Sequence, residues 1–128
     1  MAPILKVGGA IDRIGIAGTR AVVLASCVDG LLGKPGAPFD AMFGAVWTHM
    51  VTTGALARTI APAFKADAEE AFAVALLHDV GKLVIFDRIS ALRTAKRKPV
   101  LLPDSWLSLV IDQLHEPLGA VASHRWGL

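Results

Sequence analysis

Five side chains of the 128-residue sequence have types and spacings that suit chemistry: His49, the adjacent pair His78 and Asp79, Lys82 and His115. Imidazole and carboxylate ligands suit divalent transition metals. An adjacent His and Asp at a helix end can aim at one point, because the second side chain is free of helical spacing. His49, from a neighbouring helix, can supply a third ligand. His115 stands just before Pro117, where its ring can reach into a cleft, and Lys82 can hold a phosphate as a point charge. Each residue also has a plainer role. A histidine on an apolar helix face also serves as a hydrogen-bonded core residue. His115 can simply start a helix, Lys82 can be an exposed lysine, and His124 beside Arg125 fits a surface position near a helix C-terminus. Nucleophilic catalysis finds no support, since Cys27 lies in an apolar helix with no histidine near it in sequence. No glycine-rich phosphate loop follows a strand.

The elements that must position these groups all read as helix. Ile11 and Ile14 begin an apolar stripe that Gly15 and Gly18 interrupt, and a second helix follows over 19–32 with Val22, Val23 and Leu24 at its apolar centre. The glycines and prolines of 33–38 mark a loop. Asp40 is an N-cap candidate for a helix running to about Ala61, before Pro62. Met42, Val46, His49, Met50, Thr53, Ala57 and Ile60 recur on one face of it, so His49 is expected to point inward. Asp67-Ala68-Glu69-Glu70 reads as a capping box opening a helix to about His78. Phe72, Ala75, Leu76 and Asp79 form its buried side, and Gly81 ends it. Val84, Ile85, Ile89 and Leu92 belong to a further helix. Asp104 caps another, with Trp106, Leu109, Val110 and Leu114 on its apolar side, and Pro117 suits the first turn of a last helix reaching Trp126. The fold class is therefore all-α, a compact multi-helix bundle forming one domain over 1–128.

Composition bounds the function classes. Apolar residues make up 54% of the chain, tyrosine is missing, and mean hydropathy is +0.55. Much of this is alanine, which suits closely packed helices. The apolar runs fall far short of the roughly 20 residues that span a bilayer, and no signal-peptide core is seen, so the cytoplasm is the expected location and no membrane association is expected. One cysteine excludes an intramolecular disulfide framework. Thirteen basic against eleven acidic residues give a net charge of +2, too mild to argue for nucleic acid. The cluster Arg93, Lys96, Arg97 and Lys98 reads as a solvated helix end meeting the helix dipole.

His78-Asp79-Val80-Gly81-Lys82, preceded by Ala75-Leu76-Leu77, resembles the segment that names the HD superfamily, and the wider pattern is similar to the HDOD family within it. Ala10-Ile11 with Ile14-Gly15 resembles that family's AI-x-x-LG segment. Val46-Trp47-Thr48-His49 is similar to its aromatic-x-His helix, and Glu69-Glu70-Ala71-Phe72 with Leu76-Leu77-His78-Asp79 to its EEAF…LLHD run. His115-Glu116-Pro117-Leu118-Gly119-Ala120 and Arg125-Trp126-Gly127-Leu128 resemble its closing elements. The ordered set covers residues 10–128. Against the family pattern, the helices that precede AI-x-x-LG are largely missing, and Met50 stands where a small hydroxyl residue is common.

The resemblance implies an HD-like bundle in which His49, His78 and Asp79 are metal-binding positions, with Lys82 and, by likeness to a histidine of HD-GYP proteins, His115 carried over more loosely. It implies two functions. One is a regulatory, signal-transduction module of the kind found in bacteria, without hydrolase activity, partnering other signalling proteins or domains. The other is a phosphohydrolase acting on a phosphoester or nucleotide, with one divalent metal (Mn, Fe, Mg or Zn) and with Asp79 and Lys82 in catalytic roles. Catalytic HD proteins use a further distant aspartate as ligand; Asp104 and Asp112 are the remaining candidates, and neither sits in matching context. If the N-terminal helices are absent, exposed apolar surface should drive formation of a homo-oligomer.

Overall fold

Helix is the only regular secondary structure among the described residues, which are 7–32, 38–96 and 103–127 of a computed structural model. The elements are α1 (Val7–Leu31), α2 (Asp40–Ile60), a 3₁₀ turn (Ala61–Phe64), α3 (Ala68–Leu77), α4 (Val80–Lys96) and α5 (Asp104–Trp126). Helix α2 packs chiefly on α3 and α4 on α5; α2 also meets α4, and α1 lies against α3. The result is the compact all-α bundle that the sequence implies. Its core gathers around Val28, Met50, Leu76, Val80, Leu83 and Phe86, all fully buried.

Local signals account for several boundaries. Gly15 has φ 74° and ψ 171°, a conformation open essentially to glycine alone, and it kinks α1. The expected break at Gly15 and Gly18 is thus realised at Gly15 only. Gly18 lies within the helix, where an added Cβ would come within 3.2 Å of the Ile14 Cβ. Asp67 caps α3 as expected, its Oδ1 accepting the N–H groups of Glu69 at 2.9 Å and Glu70 at 2.8 Å. Asp40, by contrast, is the first residue of α2; Phe39 occupies the cap position and offers no side-chain hydrogen bond. Phe39 is instead buried and stacked on Phe86, so packing, not capping, holds this end.

Two residues expected to mark helix boundaries, Gly81 and Pro117, do not. Helix α3 ends at Leu77 with His78 as its C-cap, in keeping with the expected end near His78, but Gly81 does not terminate it and lies inside α4. Its lack of a side chain serves packing: a Cβ there would sit 1.8 Å from the His115 carbonyl oxygen and 2.8 Å from Gly119 N, so α4 and α5 cross backbone to backbone. Likewise α5 runs unbroken through Pro117. A proline inside a helix forfeits one hydrogen bond and costs about 3 kcal/mol, and the packing of α5 along α4 offsets that cost.

The expected inward faces are partly wrong. Val22, Val23, Met42, Ile60, Leu92, Trp106, Leu109 and Leu114 are exposed. Among the described side chains of α5 the buried positions are Leu107 and Gly119, with Ile111 packed at the edge of the core. A helix with apolar residues on more than one side has no unique stripe, so periodicity alone cannot phase it. Arg93 stacks over the Phe39 ring at 5.6 Å, while the Lys96 side chain, Arg97 and Lys98 of the basic cluster lie outside the described residues.

Candidate metal centre

The turn between α3 and α4 consists of His78 and Asp79. Its tightness follows from Asp79 itself, whose carbonyl accepts the Lys82 N–H at 2.9 Å as α4 begins. His78 Nδ1 lies 2.7 Å from the Ala75 carbonyl. A carbonyl only accepts, so Nδ1 carries the proton, and in a neutral ring the Nε2 lone pair is left free. A backbone carbonyl orienting the far nitrogen of a ligand histidine is a common feature of metal sites.

His49, near the middle of α2, brings its Nε2 to 3.2 Å from His78 Nε2, with the rings edge to face at 72°. Asp79 Oδ2 lies 3.3 Å from His78 Nε2 and 3.7 Å from His49 Nε2. These three separations place the atoms on a circle of about 2.0 Å radius, the length of a Zn–N or Zn–carboxylate bond. His78 Nε2 and Asp79 Oδ2 are both electron-pair donors, and they face each other at a distance that calls for a cation or proton between them. His49, His78 and Asp79 therefore form a group that can hold a metal ion.

The group is not sealed. Side-chain exposure is 57% for His49 and 36% for His78, but 8% for Asp79. The expectation that His49 points inward is thus corrected: the carboxylate forms the floor of the site and the imidazoles its open rim. His49 lies at the edge of the buried face of α2, next to fully buried Met50, and one residue is 100° around a helix.

Lys82, for which the sequence leaves both a phosphate-holding role and a plain exposed position open, is bonded to Asp79, with Nζ 2.7 Å from Oδ2. His115 is not brought into the group. Its backbone lies against Gly81, and its Nδ1 donates to the Ile111 carbonyl at 2.7 Å. Asp112 is exposed on α5 and outside the group, and the Asp104 side chain lies outside the described residues. The group found among the described residues has three protein ligands. Sequence reasoning missed the Ala75 carbonyl, since a backbone acceptor leaves no mark in residue type, and the Gly81 seam that carries α5 past the site.

An all-α bundle in which a histidine on one helix meets a His-Asp pair at the turn between the next two helices defines an HD-like helical domain. The chain belongs to the HDOD domain family, whose model matches it over residues 1–128. Neither the curated proteins nor the solved structures contain a match. No helix among the described residues is long and apolar enough to cross a membrane.

Proposed function

We propose that this HDOD domain is a cytoplasmic regulatory module that holds one divalent metal on His49, His78 and Asp79 and does not turn over a phosphoester. The observation that carries the reading is the convergence of His49 Nε2, His78 Nε2 and Asp79 Oδ2 at metal-ligand spacing, with Lys82 already bound to the carboxylate. When bound, a metal of this kind supplies Lewis acidity. The chain's own residues orient it: Ala75 fixes the His78 ring, and Asp79 supplies the negative charge. A phosphohydrolase would further need a cationic group free to meet the developing phosphate charge; in the metal-free site the Lys82 ammonium is bound to Asp79, and the group among the described residues offers three protein ligands with no further distant aspartate.

Isothermal titration of metal-free protein with Mn²⁺, Fe²⁺, Mg²⁺ and Zn²⁺ tests the metal half. One equivalent is expected to bind, most tightly Zn²⁺. Asp79→Ala should weaken it at least about a hundredfold, since losing a ligand exceeds the 10–100-fold cost of losing an outer-shell partner. The metal-loaded protein is expected to leave phosphomonoesters, phosphodiesters and nucleotides intact. Turnover that disappears in Asp79→Ala would establish the hydrolase instead, and protein that takes up none of the four ions would remove the metal.

The partners of such a module are other signalling proteins or a second copy of this chain. Supporting this are the apolar side chains that α1 and α5 leave exposed, among them Ile16, Val23, Trp106 and Leu109. Light scattering is expected to find a species larger than the 13.5 kDa chain, and Trp106→Glu is expected to shift it toward monomer. A monomer at every concentration would remove self-association from the reading.

A further inference from the structure

The same oxygen of Asp79 that faces the two imidazoles also receives the Lys82 ammonium. Oδ2 lies 2.7 Å from Nζ, against 3.3 and 3.7 Å from the histidine Nε2 atoms. A nearly buried carboxylate needs a compensating charge, and Lys82 is the residue that the first turn of α4 places there, three positions on. From the other elements that reach Asp79, α2 contributes His49 and the interhelical turn contributes His78.

We propose that Lys82 is a built-in counter-cation: it holds the metal-free site together and lowers the affinity of that site for a divalent ion. The inference rests on the metal reading given above. A metal joined to Oδ2 stands roughly 4 Å from an ammonium bonded to the same atom. At that distance a divalent and a monovalent charge repel enough to weaken binding about thirtyfold even at the dielectric constant of water. The lysine stem is flexible and its side chain is 28% exposed, so the ammonium can swing toward solvent and relieve part of this. Displacing it then costs the charge-assisted hydrogen bond that it makes in the metal-free protein. By either route the lysine opposes the metal. Its presence moves half-occupancy to a higher metal concentration, so that the site fills only when the ion is plentiful.

The test compares wild type with Lys82→Met, Lys82→Gln and Lys82→Arg in two measurements: Zn²⁺ and Mn²⁺ affinity by calorimetry, and urea denaturation of the metal-free proteins. Removing the charge is expected to move the two readouts in opposite directions. Met and Gln should bind metal at least about tenfold more tightly while their metal-free urea midpoints fall. Arg should stay near wild type in both. Gln retains a hydrogen-bond donor for Oδ2 and keeps the affinity readable should Met not fold. A neutral variant that folds only once metal is added counts as the expected result in its extreme form.

Neutral variants that bind no more tightly than a metal-binding wild type overturn the counter-cation and leave the metal site standing. Neutral variants whose metal-free stability equals wild type overturn it as well. If no protein of the set takes up metal, the counter-cation and the metal reading fall together.

Discussion

Gly81→Ala lowers the stability of the domain by about 3 kcal/mol or more, measured as the loss of unfolding free energy in urea. The usual expectation inside a helix is the reverse, because alanine is favoured there over glycine by about 0.5–1 kcal/mol. At Gly81 the added carbon would stand 1.8 Å from the carbonyl oxygen of His115 and 2.7 Å from its carbonyl carbon. These are backbone atoms of α5, and no rotamer change can move them, so the two helices must separate. Overpacking that forces backbone shifts costs about 1–3 kcal/mol and occasionally more, and a clash this deep belongs at the upper end. Gly44, on α2, is the internal control, because a Cβ added there would meet nothing within 4 Å. Gly44→Ala should be neutral or gain up to about 1 kcal/mol. Gly119, across the seam, meets nothing closer than 3.4 Å and should also tolerate alanine. Since Gly81 follows Asp79 by two residues, the wedge also moves the carboxylate, and metal affinity should fall with stability. A neutral Gly81→Ala would mean that α4 and α5 do not cross there.

Much of the site was legible because its residues are neighbours in sequence or sit one per helix. His78 and Asp79 are adjacent, and the run Asp67 to Glu70 marks the start of the helix that delivers them, through a cap that depends only on local backbone. Gly15 was legible for the same reason, because a local conformation demands glycine. The misreadings come where a local signal and a tertiary demand call for the same residue type. Gly81 resembles a helix terminator, but its absent side chain makes room for α5. Pro117 resembles a helix start, but packing on both sides of it keeps one helix continuous. Asp40 has the chemistry of a cap, yet the stack of Phe39 on Phe86 fixes that end of α2. The phase of α5 failed because Leu107 and Ile111 alternate with Trp106, Leu109 and Leu114, and only the position of α4 selects between the two faces. The exposure of His49 followed from the same ambiguity on α2.

Phe86→Ala should separate the stability of the fold from the chemistry of the site. Phe86 is buried on α4 and stacks on Phe39 with ring centroids 5.7 Å apart and an interplanar angle of 22°. Truncating a buried phenylalanine costs about 3–5 kcal/mol through lost burial and the cavity left behind, and the aromatic contact adds about 0.5–1.5 kcal/mol beyond area. Urea denaturation should therefore show a loss of about 4 kcal/mol, a large share of the 5–15 kcal/mol that typically stabilises a domain. His49→Ala should do the opposite. Its side chain is more than half exposed, so stability should change by less than about 1 kcal/mol, while metal binding loses one of three ligands. In Phe86→Ala the ligands all remain, and saturating metal should restore part of the lost stability, because an ion that binds only the folded state stabilises it by mass action. In His49→Ala the same ion should add little. Equal metal-induced stabilisation of the two variants would show that His49 is not a ligand, and the remaining pair on the interhelical turn would then have to hold the ion alone.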